Sequence, residues 1–519
     1  MRQALLAFCV LMAVHSGQAA EAVRPFEADA WSVPANGVDE RVLAALQKAG
    51  VEPAHPCSDE VFIRRVYLDV IGTLPEPADV RRFLQDPGPG KRAAVIDALL
   101  TREEFADYWA LKWGDLLRVK SEFPINLWPN AVQAYAGWIH DAVQSHLPYD
   151  QFARQLLTAS GSNFRVPPVN FYRALQGRQP ADLAAVVALT FMGTRIAAWP
   201  EPRRAELGNF FSRVAYKKTG EWKEEIVYPD LTATTPLAVV YPDGTKGTVP
   251  PGEDPRAYFA DWLLRAGNPW FAPAAGNRVW AWLLGRGIVQ EPDDFRADNP
   301  PANPELLAYL AQELVASKYD LRQVYRLILN SRTYQQSALP QSARPEAEKL
   351  CAYYPVRRLD AEVLADALHG IGGVGESYMS PIPEPFTYLP DNQRAIGVPD
   401  GSITSAFLIM FGRPARDTGQ EAERSNQPSD AQQLYLLNSS EVQRWLARSP
   451  KLAAVAAAAK GDRGAQIKGT YLVLLSREPT AAEVTAAEAY AQKPGTTPEA
   501  AATDLAWALV NSAEFQYHH

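Results

Sequence analysis

Apolar side chains recur every three or four positions through most of this chain, a spacing typical of α-helices that bury one face. Thr101 and Glu104 have the spacing of a capping box, so we expect a helix to begin at Thr101. The apolar positions that follow are Phe105, Trp109, Trp113 and Leu116. We interpret these side chains as part of the core.

Asn303 and Pro304 predict the start of a second helix, because these residue types are preferred at the N-cap and at the first helical position. Its apolar positions are Leu306, Leu307, Leu310 and Leu314. Packing alone explains this pattern.

Residues 224–250 differ from the rest of the chain. The segments EEIVYPDL and PLAVVYPDGTKGTVP predict strands, and the pair Asp243-Gly244 is typical of a hairpin turn. Two prolines follow, and helical spacing then returns. The sequence therefore predicts a mainly α-helical protein, with two helical domains and a small β-hairpin insertion at their joint near residue 250.

A weak internal repeat supports the division into two halves. Residues 67–80 match residues 471–484 without a gap, as expected for a helix followed by a helix that starts at proline. Duplication and convergence under similar packing demands both explain this match.

Residues 1–19 have the features of a secretory signal, with Arg2 near the start, an apolar run from Ala4 to Val14 and small residues at the end. The apolar run is shorter than the roughly 20 residues that a membrane-spanning helix needs. We therefore expect export, to the periplasm or the exterior, and no membrane span once the signal is removed.

The net charge of −8 is spread over segments of mixed sign, without the basic face that a nucleic-acid partner requires. We therefore expect no nucleic-acid partner. Two cysteines, Cys57 and Cys351, follow the signal. In an oxidising compartment they could form a disulfide or remain as two buried thiols.

Familiar catalytic motifs are absent from the sequence, which contains no G-x-S-x-G, H-E-x-x-H or P-loop pattern. Gly370, Gly372 and Gly375 fit G-x-G-x-x-G, but they follow a helical pattern rather than a strand. We interpret Gly370 as the end of a helix.

The sequence predicts no strong metal site. His140 and His146 are six positions apart, on different faces of the helix that we expect them to share. Asp293, Asp294 and Asp298 could offer oxygen ligands to Ca²⁺. Helix capping and a solvated turn are the simpler explanation of these three aspartates.

Glu221, Glu224 and Glu225 surround Trp222 and form one candidate site. Paired carboxylates can divide the roles of acid and base, and an indole can stack on a sugar ring. The alternative is a set of solvated side chains at the start of a strand.

Residues 382–428 contain the main candidate site. Arginine side chains suited to carboxylate, sulfate or phosphate alternate there with acidic residues. The candidate ligand-binding residues are Arg413, Arg416, Asp417, Glu421, Glu423 and Arg424. These groups either neutralise one another in a buried network or leave donors facing a cleft for an acidic or polyhydroxylated ligand.

Several long segments resemble two families that occur together, mostly in planctomycete-type and verrucomicrobial-type bacteria. RRVYLDVIGTLPEPADV (residues 64–80) and FADYWALKWGDLLR (105–118) resemble the domain of unknown function DUF1549. NRVWAWLLGRGIV (277–289), VRRLDAEVLADAL (356–368) and FGRPARDT (411–418) resemble DUF1553.

The resemblance implies a DUF1549-like helical domain at residues 38–230, a β-hairpin and linker at 231–254, and a DUF1553-like helical domain at 255–519. Neither family has an assigned reaction, so the resemblance implies no catalytic residue.

Many relatives in these families are named cytochrome-like because Cys-x-x-Cys-His follows the position matched here by residues 191–195. This chain has IAAWPEPRRAELGNFF there. Covalent c-type haem needs both thiols and the histidine. We therefore expect no haem and no other cofactor.

Three functions remain open at this point. The first is a binding or assembly protein of the cell envelope or secreted space, with a polysaccharide-like or protein partner. The second is an enzyme that acts on complex glycans, acidic ones included, through carboxylates such as Glu221, Glu225 or Glu421, with nearby arginines to orient an anionic group. The third is an electron-transfer relative that has lost its haem site.

Overall fold

Helices dominate the fold, as the spacing of apolar residues predicts. The computed structural model describes residues 26–519 except residues 32, 34 and 391. Within these residues it contains 23 α-helices and seven short strands. The predicted signal at residues 1–19 lies outside the described residues. No described helix is both long enough and apolar enough to cross a bilayer.

The first half of the chain contains nine helices. They are α1 (Gly37–Ala49), α2 (Asp59–Ile71), α3 (Pro77–Gln85), α4 (Lys91–Leu99), α5 (Glu103–Leu116), α6 (Pro129–Gln144), α7 (Tyr149–Thr158), α8 (Pro180–Met192) and α9 (Glu201–Asn209). Short 3-10 turns cover Pro167–Tyr172 and Ile196–Ala198.

Helix α5 buries the predicted stripe but starts later than predicted. Phe105, Trp109, Trp113 and Leu116 are all buried. The predicted capping box at Thr101 is wrong, because Arg102 occupies the N-cap position. The Thr101 hydroxyl instead donates to the carbonyl of Ala98, 2.8 Å away, at the end of the preceding helix.

One small sheet lies at the end of the first half, and a hairpin lies between the two halves. Strand β3 (Glu225–Pro229) pairs antiparallel with β1 (Gly161–Ser162) and β2 (Val214–Lys218). The predicted hairpin is formed by β4 (Leu237–Val240) and β5 (Lys246–Val249). Its turn contains Gly244 at φ +84°, which suits glycine because it has no Cβ.

The second half contains the remaining helices. They are α10 (Pro255–Leu264), α11 (Phe271–Leu284), α12 (Pro304–Ala316), α13 (Leu321–Leu329), α14 (Glu346–Lys349), α15 (Ala361–Gly372), α16 (Ala406–Met410), α17 (Asp430–Asn438), α18 (Ser440–Ala447), α19 (Pro450–Ala459), α20 (Arg463–Leu475), α21 (Ala481–Ala491), α22 (Pro498–Val510) and α23 (Ala513–Gln516). Strands β6 (Arg357–Arg358) and β7 (Tyr517–His518) pair antiparallel, and 3-10 turns cover Ala395–Gly397 and Glu421–Glu423.

Two local predictions in this half have different outcomes. Helix α12 begins as predicted, since the Asn303 side chain accepts a hydrogen bond from the backbone of Leu306 at 3.0 Å. The predicted helix end at Gly370 is wrong, because α15 continues to Gly372 and Gly373 caps it at φ +65°. His146 likewise lies beyond the end of α6 rather than on the same helix as His140.

The two halves share one buried apolar core. The ring of Trp282 on α11 lies 5.4 Å from Trp109 and 5.5 Å from Trp113, both on α5. The guanidinium group of Arg64 on α2 donates to the carbonyl of Leu474 on α20 at 2.8 Å. Any site at the junction of the halves is therefore held by core elements of both.

Candidate functional site

The arginines of residues 382–428 are mostly internal. Arg416 is 1% exposed, and its Nε lies 2.8 Å from Asp115 Oδ1. It also donates to three backbone carbonyls, those of Leu111, Val119 and Pro399. Through these contacts Arg416 holds the segment 382–428 against α5.

Arg413 has a similar supporting place. Its Nε lies 3.3 Å from Glu362 Oε1, and both side chains are almost fully buried. The guanidinium group also donates to the carbonyls of Asp400 and Ile403. Arg413 and Arg416 thus form the buried ion network that was one of the two outcomes considered from the sequence.

Arg424 belongs to this network and also lines a cavity. Its two terminal nitrogens lie 2.6 Å from Glu362 Oε2 and 2.7 Å from Asp115 Oδ2. Burial alone would lower the pKa of Arg424, but Asp115 and Glu362 hold that pKa well above its usual value. The same side chain lines a cavity of about 620 Å³.

This cavity, the junction cavity, is polar and lies where the two halves meet. Its lining includes polar and aromatic side chains from both halves, among them Tyr108, Lys112, Trp282, Arg286, Glu348, Arg357, Arg358, Asp360, Glu421, Arg424, Asn426, Gln427, Tyr517 and His518. Small-molecule sites usually span about 300–1,000 Å³, so the cavity has the size of such a site.

Arg358 is the most unusual side chain of the junction cavity. It is 2% exposed, yet it forms no ion pair with any described residue. One terminal nitrogen donates to the carbonyls of Phe411 and Ser425. Its Nε and Nη1 are buried without a hydrogen-bond partner. Two charged donors without a partner are costly, because a buried polar group needs an acceptor to replace lost water.

Asp360 is fully occupied by its neighbours in the cavity wall. Its Oδ2 accepts from Lys112 at 2.5 Å and from Tyr108 at 2.9 Å. Its Oδ1 accepts from Asn426 at 2.7 Å. Burial raises the pKa of Asp360, but the charges of Lys112 and Arg424 overcome burial and hold it well below its usual range. Asp360 is therefore an ionised structural carboxylate.

Glu421 has no such partner. Both of its carboxyl oxygens share one donor, the indole Nε1 of Trp282, at 3.0 and 3.1 Å. Burial raises its pKa, although Lys112 and Arg278 act in the opposite direction. The raised pKa favours the protonated form of Glu421.

The remaining residues of the predicted block have local roles. Asp417 Oδ1 lies 2.5 Å from Lys120 Nζ. The Glu423 carboxylate accepts the backbone N–H of Asp417 at 2.7 Å and that of Thr418 at 3.2 Å. Both side chains thereby stabilise the turn before Glu421.

The alternative carboxylates have different surroundings. Glu225 pairs with Arg173 at 3.0 Å and Arg178 at 2.9 Å. Glu224 accepts from the hydroxyls of Ser162 and Thr219. Glu221 is exposed. The structure thus gives two of the three a local structural partner.

The calcium candidates also separate. Asp293 is 1% exposed and pairs with Arg195 at 2.6 Å. Asp294 and Asp298 both face Arg296, at 3.2 and 3.6 Å. Among the described residues no group of three or more His, Cys, Asp or Glu side chains is arranged to hold a metal ion.

Cys57 and Cys351 are buried and free, so the two open alternatives for them resolve to separate thiols. Burial raises the pKa of Cys351 to about 12. A neutral buried thiol of this kind is chemically inert.

The sequence pattern missed most of the junction cavity. Lys112, Arg357, Arg358, Asp360 and His518 come from α5, the strand pair β6 and β7, and the start of α15. The adjacent arginines Arg357 and Arg358 before α15 were a signal that the sequence offered.

The comparisons agree with this two-part organisation. Residues 37–197 match the protein of unknown function DUF1549, and residues 255–491 match the protein of unknown function DUF1553. The chain therefore belongs to the proteins in which a DUF1549 domain precedes a DUF1553 domain. No curated protein and no solved structure matches it.

Proposed function

We propose that this protein is exported and binds an anionic, polyhydroxylated ligand in the junction cavity, with a uronic-acid-containing oligosaccharide as the best match. Arg358 carries the proposal. Arg358 lines the cavity, and its Nε and Nη1 are buried without a hydrogen-bond partner among the described residues. A guanidinium group can donate to a ligand carboxylate at two positions.

The rest of the lining suits a sugar. Asn426, Gln427 and Arg286 offer donors to hydroxyl groups, and the indole of Trp282 forms an apolar wall. Arg286 Nε has no hydrogen-bond partner among the described residues, whereas Nη1 of the same side chain donates to Glu348 at 3.3 Å. Sites that combine a few placed polar groups with an aromatic wall bind small ligands in one orientation.

A second function, an enzyme that acts on such a glycan, is supported by Glu421. Burial raises the pKa of Glu421, which favours the protonated form that can donate a proton to a leaving oxygen. Asp360, another carboxylate of the cavity lining, accepts hydrogen bonds from Lys112, Tyr108 and Asn426.

Thermal unfolding and calorimetric titration test the proposal, with short oligogalacturonides, alginate oligosaccharides and their neutral counterparts as probes. A ligand that binds only the folded state raises the unfolding temperature. We expect the acidic probes to do so and the neutral ones to have little effect.

Arg358→Gln should reduce the affinity for the acidic probe by at least roughly tenfold, since a charge-assisted hydrogen bond contributes about 1.5–3 kcal/mol. Arg81→Gln is the matched control, because Arg81 is exposed on α3 away from the junction cavity. Equal binding by both variants, or no binding of acidic probes by the wild type, would overturn the proposal.

A further inference from the structure

His518 and Asp69 form a dyad at the wall of the junction cavity. Strand β7 places His518 directly opposite Arg357 of β6. Both side chains reach the same carboxylate oxygen, with His518 Nδ1 at 2.9 Å and Arg357 Nη2 at 2.6 Å from Asp69 Oδ1. The pairing of the two strands therefore fixes the imidazole on a buried anion.

The charge of Asp69, whose Oδ1 lies 2.9 Å from His518 Nδ1, defines the tautomer of His518. Asp69 Oδ2 accepts from the hydroxyls of Tyr334 and Tyr354, at 2.7 and 2.9 Å. Burial raises the pKa of Asp69, but Arg357 and His518 lower it to about 2, so the carboxylate is ionised. An ionised carboxylate accepts, so the proton of a neutral imidazole lies on Nδ1.

The other ring nitrogen of His518 is then a free base. No described residue forms a hydrogen bond with Nε2, and His518 lines the junction cavity. Burial, together with the charge of Arg357, lowers the pKa of His518 and keeps the ring neutral at neutral pH. The charged and titratable groups that act on it are Asp69, Arg357, Asp360 and its neighbour His519.

We infer that the junction cavity catalyses β-elimination on a uronic-acid glycan, with His518 as the base, Glu421 as the acid and Arg358 as the group that holds the uronate carboxylate. This inference rests on the proposed binding of an acidic oligosaccharide. All three residues line the same cavity.

The reaction balances without a cofactor. His518 Nε2 takes the proton from C5, next to the carboxylate that Arg358 holds. The C5–H electron pair forms a double bond between C4 and C5, and the C4–O bond breaks with its electrons on oxygen. Glu421 gives that oxygen its proton. The two products are a chain with a new reducing end and a chain that ends in an unsaturated uronate.

Elimination fits this cavity better than hydrolysis. A hydrolase needs a carboxylate that is free to act as nucleophile or to activate water. Asp360 has no free capacity, since Lys112, Tyr108 and Asn426 occupy it. The two other acidic side chains of the lining besides Glu421 each lie near an arginine, Glu291 at 3.9 Å from Arg195 and Glu348 at 3.3 Å from Arg286. Proton abstraction beside a carboxylate instead needs a neutral base and a cation that stabilises the developing negative charge. His518 and Arg358 supply these two groups.

Two readouts test the inference on the full-length protein. The first is the ultraviolet absorbance of the unsaturated uronate formed from oligogalacturonide or alginate probes. The second is exchange of the C5 proton with deuterium from the solvent, followed by proton NMR. Exchange reports the base alone, whereas absorbance requires the base and the acid.

Four variants separate the roles. His518→Gln should abolish both readouts, and Glu421→Gln should abolish the absorbance but keep the exchange. Asp69→Asn tests positioning, and we expect its exchange rate to fall and its pH profile to shift. His146→Gln is the control, since His146 is exposed and lies beyond the end of α6. Circular dichroism establishes that each variant is folded.

Each outcome decides between the inferences. Acidic probes that bind without absorbance or exchange refute elimination and leave the proposed binding intact. New reducing ends without absorbance mean hydrolysis and also refute elimination. Exchange that persists in folded His518→Gln refutes the role of His518. Acidic probes that do not bind at all overturn the proposed function first.

Discussion

Arg424, in the second half of the chain, lies 2.7 Å from Asp115 of the first half, measured from Nη2 to Oδ2. The same guanidinium group binds Glu362 at 2.6 Å, so one side chain neutralises carboxylates from both halves. Burial raises the pKa of Asp115, but Arg424 and Arg416 reverse this and lower it. Arg424 therefore joins the lining of the junction cavity to a buried ion network that includes Asp115 and Glu362.

Arg424→Gln should lower the free energy of unfolding by about 3–5 kcal/mol, because it leaves Asp115 and Glu362 as buried charges without their shared partner. Urea unfolding followed by circular dichroism measures the effect.

The matched control is Arg326→Gln. Arg326 pairs with Asp97 across the same two halves, but both side chains are about half exposed. Such a surface pair contributes about 0–1 kcal/mol. An equal loss of stability in the two variants would contradict a larger contribution of Arg424 than of the surface pair.

Stability should fall at low pH through Asp69. Its folded pKa of about 2 lies below the ordinary value of 3.8, so its contribution is complete above pH about 4 and is lost as pH falls towards 2. The shift corresponds to about 2.5 kcal/mol. Asp69→Asn removes this contribution, so the stability difference between wild type and variant should narrow over that pH range. A constant difference would contradict the assignment.

Asp366 should act in the opposite direction and at higher pH. Burial raises its pKa to about 6, although Arg394 and the backbone N–H groups of Ala395 and Ile396 oppose this. Its protonated form is favoured in the folded state, so stability is complete below pH about 4 and falls by about 3 kcal/mol as pH rises past 6.

In Asp366→Asn the free energy of unfolding should vary less with pH than in the wild type, as measured by urea unfolding from pH about 4 to about 7. Asp141→Asn is the control, because the Asp141 side chain is 82% exposed. Superimposable profiles for wild type and Asp366→Asn would show that Asp366 titrates normally.

Gly412→Ala should destabilise the wall that supports Arg358. Gly412 has φ +90°, and a Cβ there would lie 1.8 Å from the carbonyl oxygen of Ser425, which accepts from Arg358. We expect a loss of at least about 2 kcal/mol in urea unfolding. Gly137→Ala on α6 meets no atom within 4 Å and should be stabilising by about 0.5–1 kcal/mol. The reverse order of the two variants would contradict this account.

Local signals in the sequence predicted local structure well. Asn303 caps α12 as predicted, because an N-cap and its helix are adjacent in the chain. The hairpin around Asp243-Gly244 formed for the same reason. Thr101 did not cap α5, since its hydroxyl had a competing acceptor in Ala98. The competition between neighbouring caps is not visible in the spacing alone.

The site was only partly predictable. The density of charges in residues 382–428 singled out Arg424 and Glu421, which line the junction cavity, together with Arg416, which is buried against Asp115. That density could not separate the two kinds of position. His518 and Asp69 are far apart in sequence and meet through the pairing of β6 with β7. Such long-range contacts depend on the whole fold rather than on any local pattern.

The most direct test of the central claim is a crystal structure of the protein soaked with a short oligogalacturonide. We predict that a uronate carboxylate lies within hydrogen-bond distance of Arg358 Nε and Nη1 in the junction cavity, with Trp282 against the sugar. Ligand density elsewhere on the molecule, with only water beside Arg358, would contradict the claim.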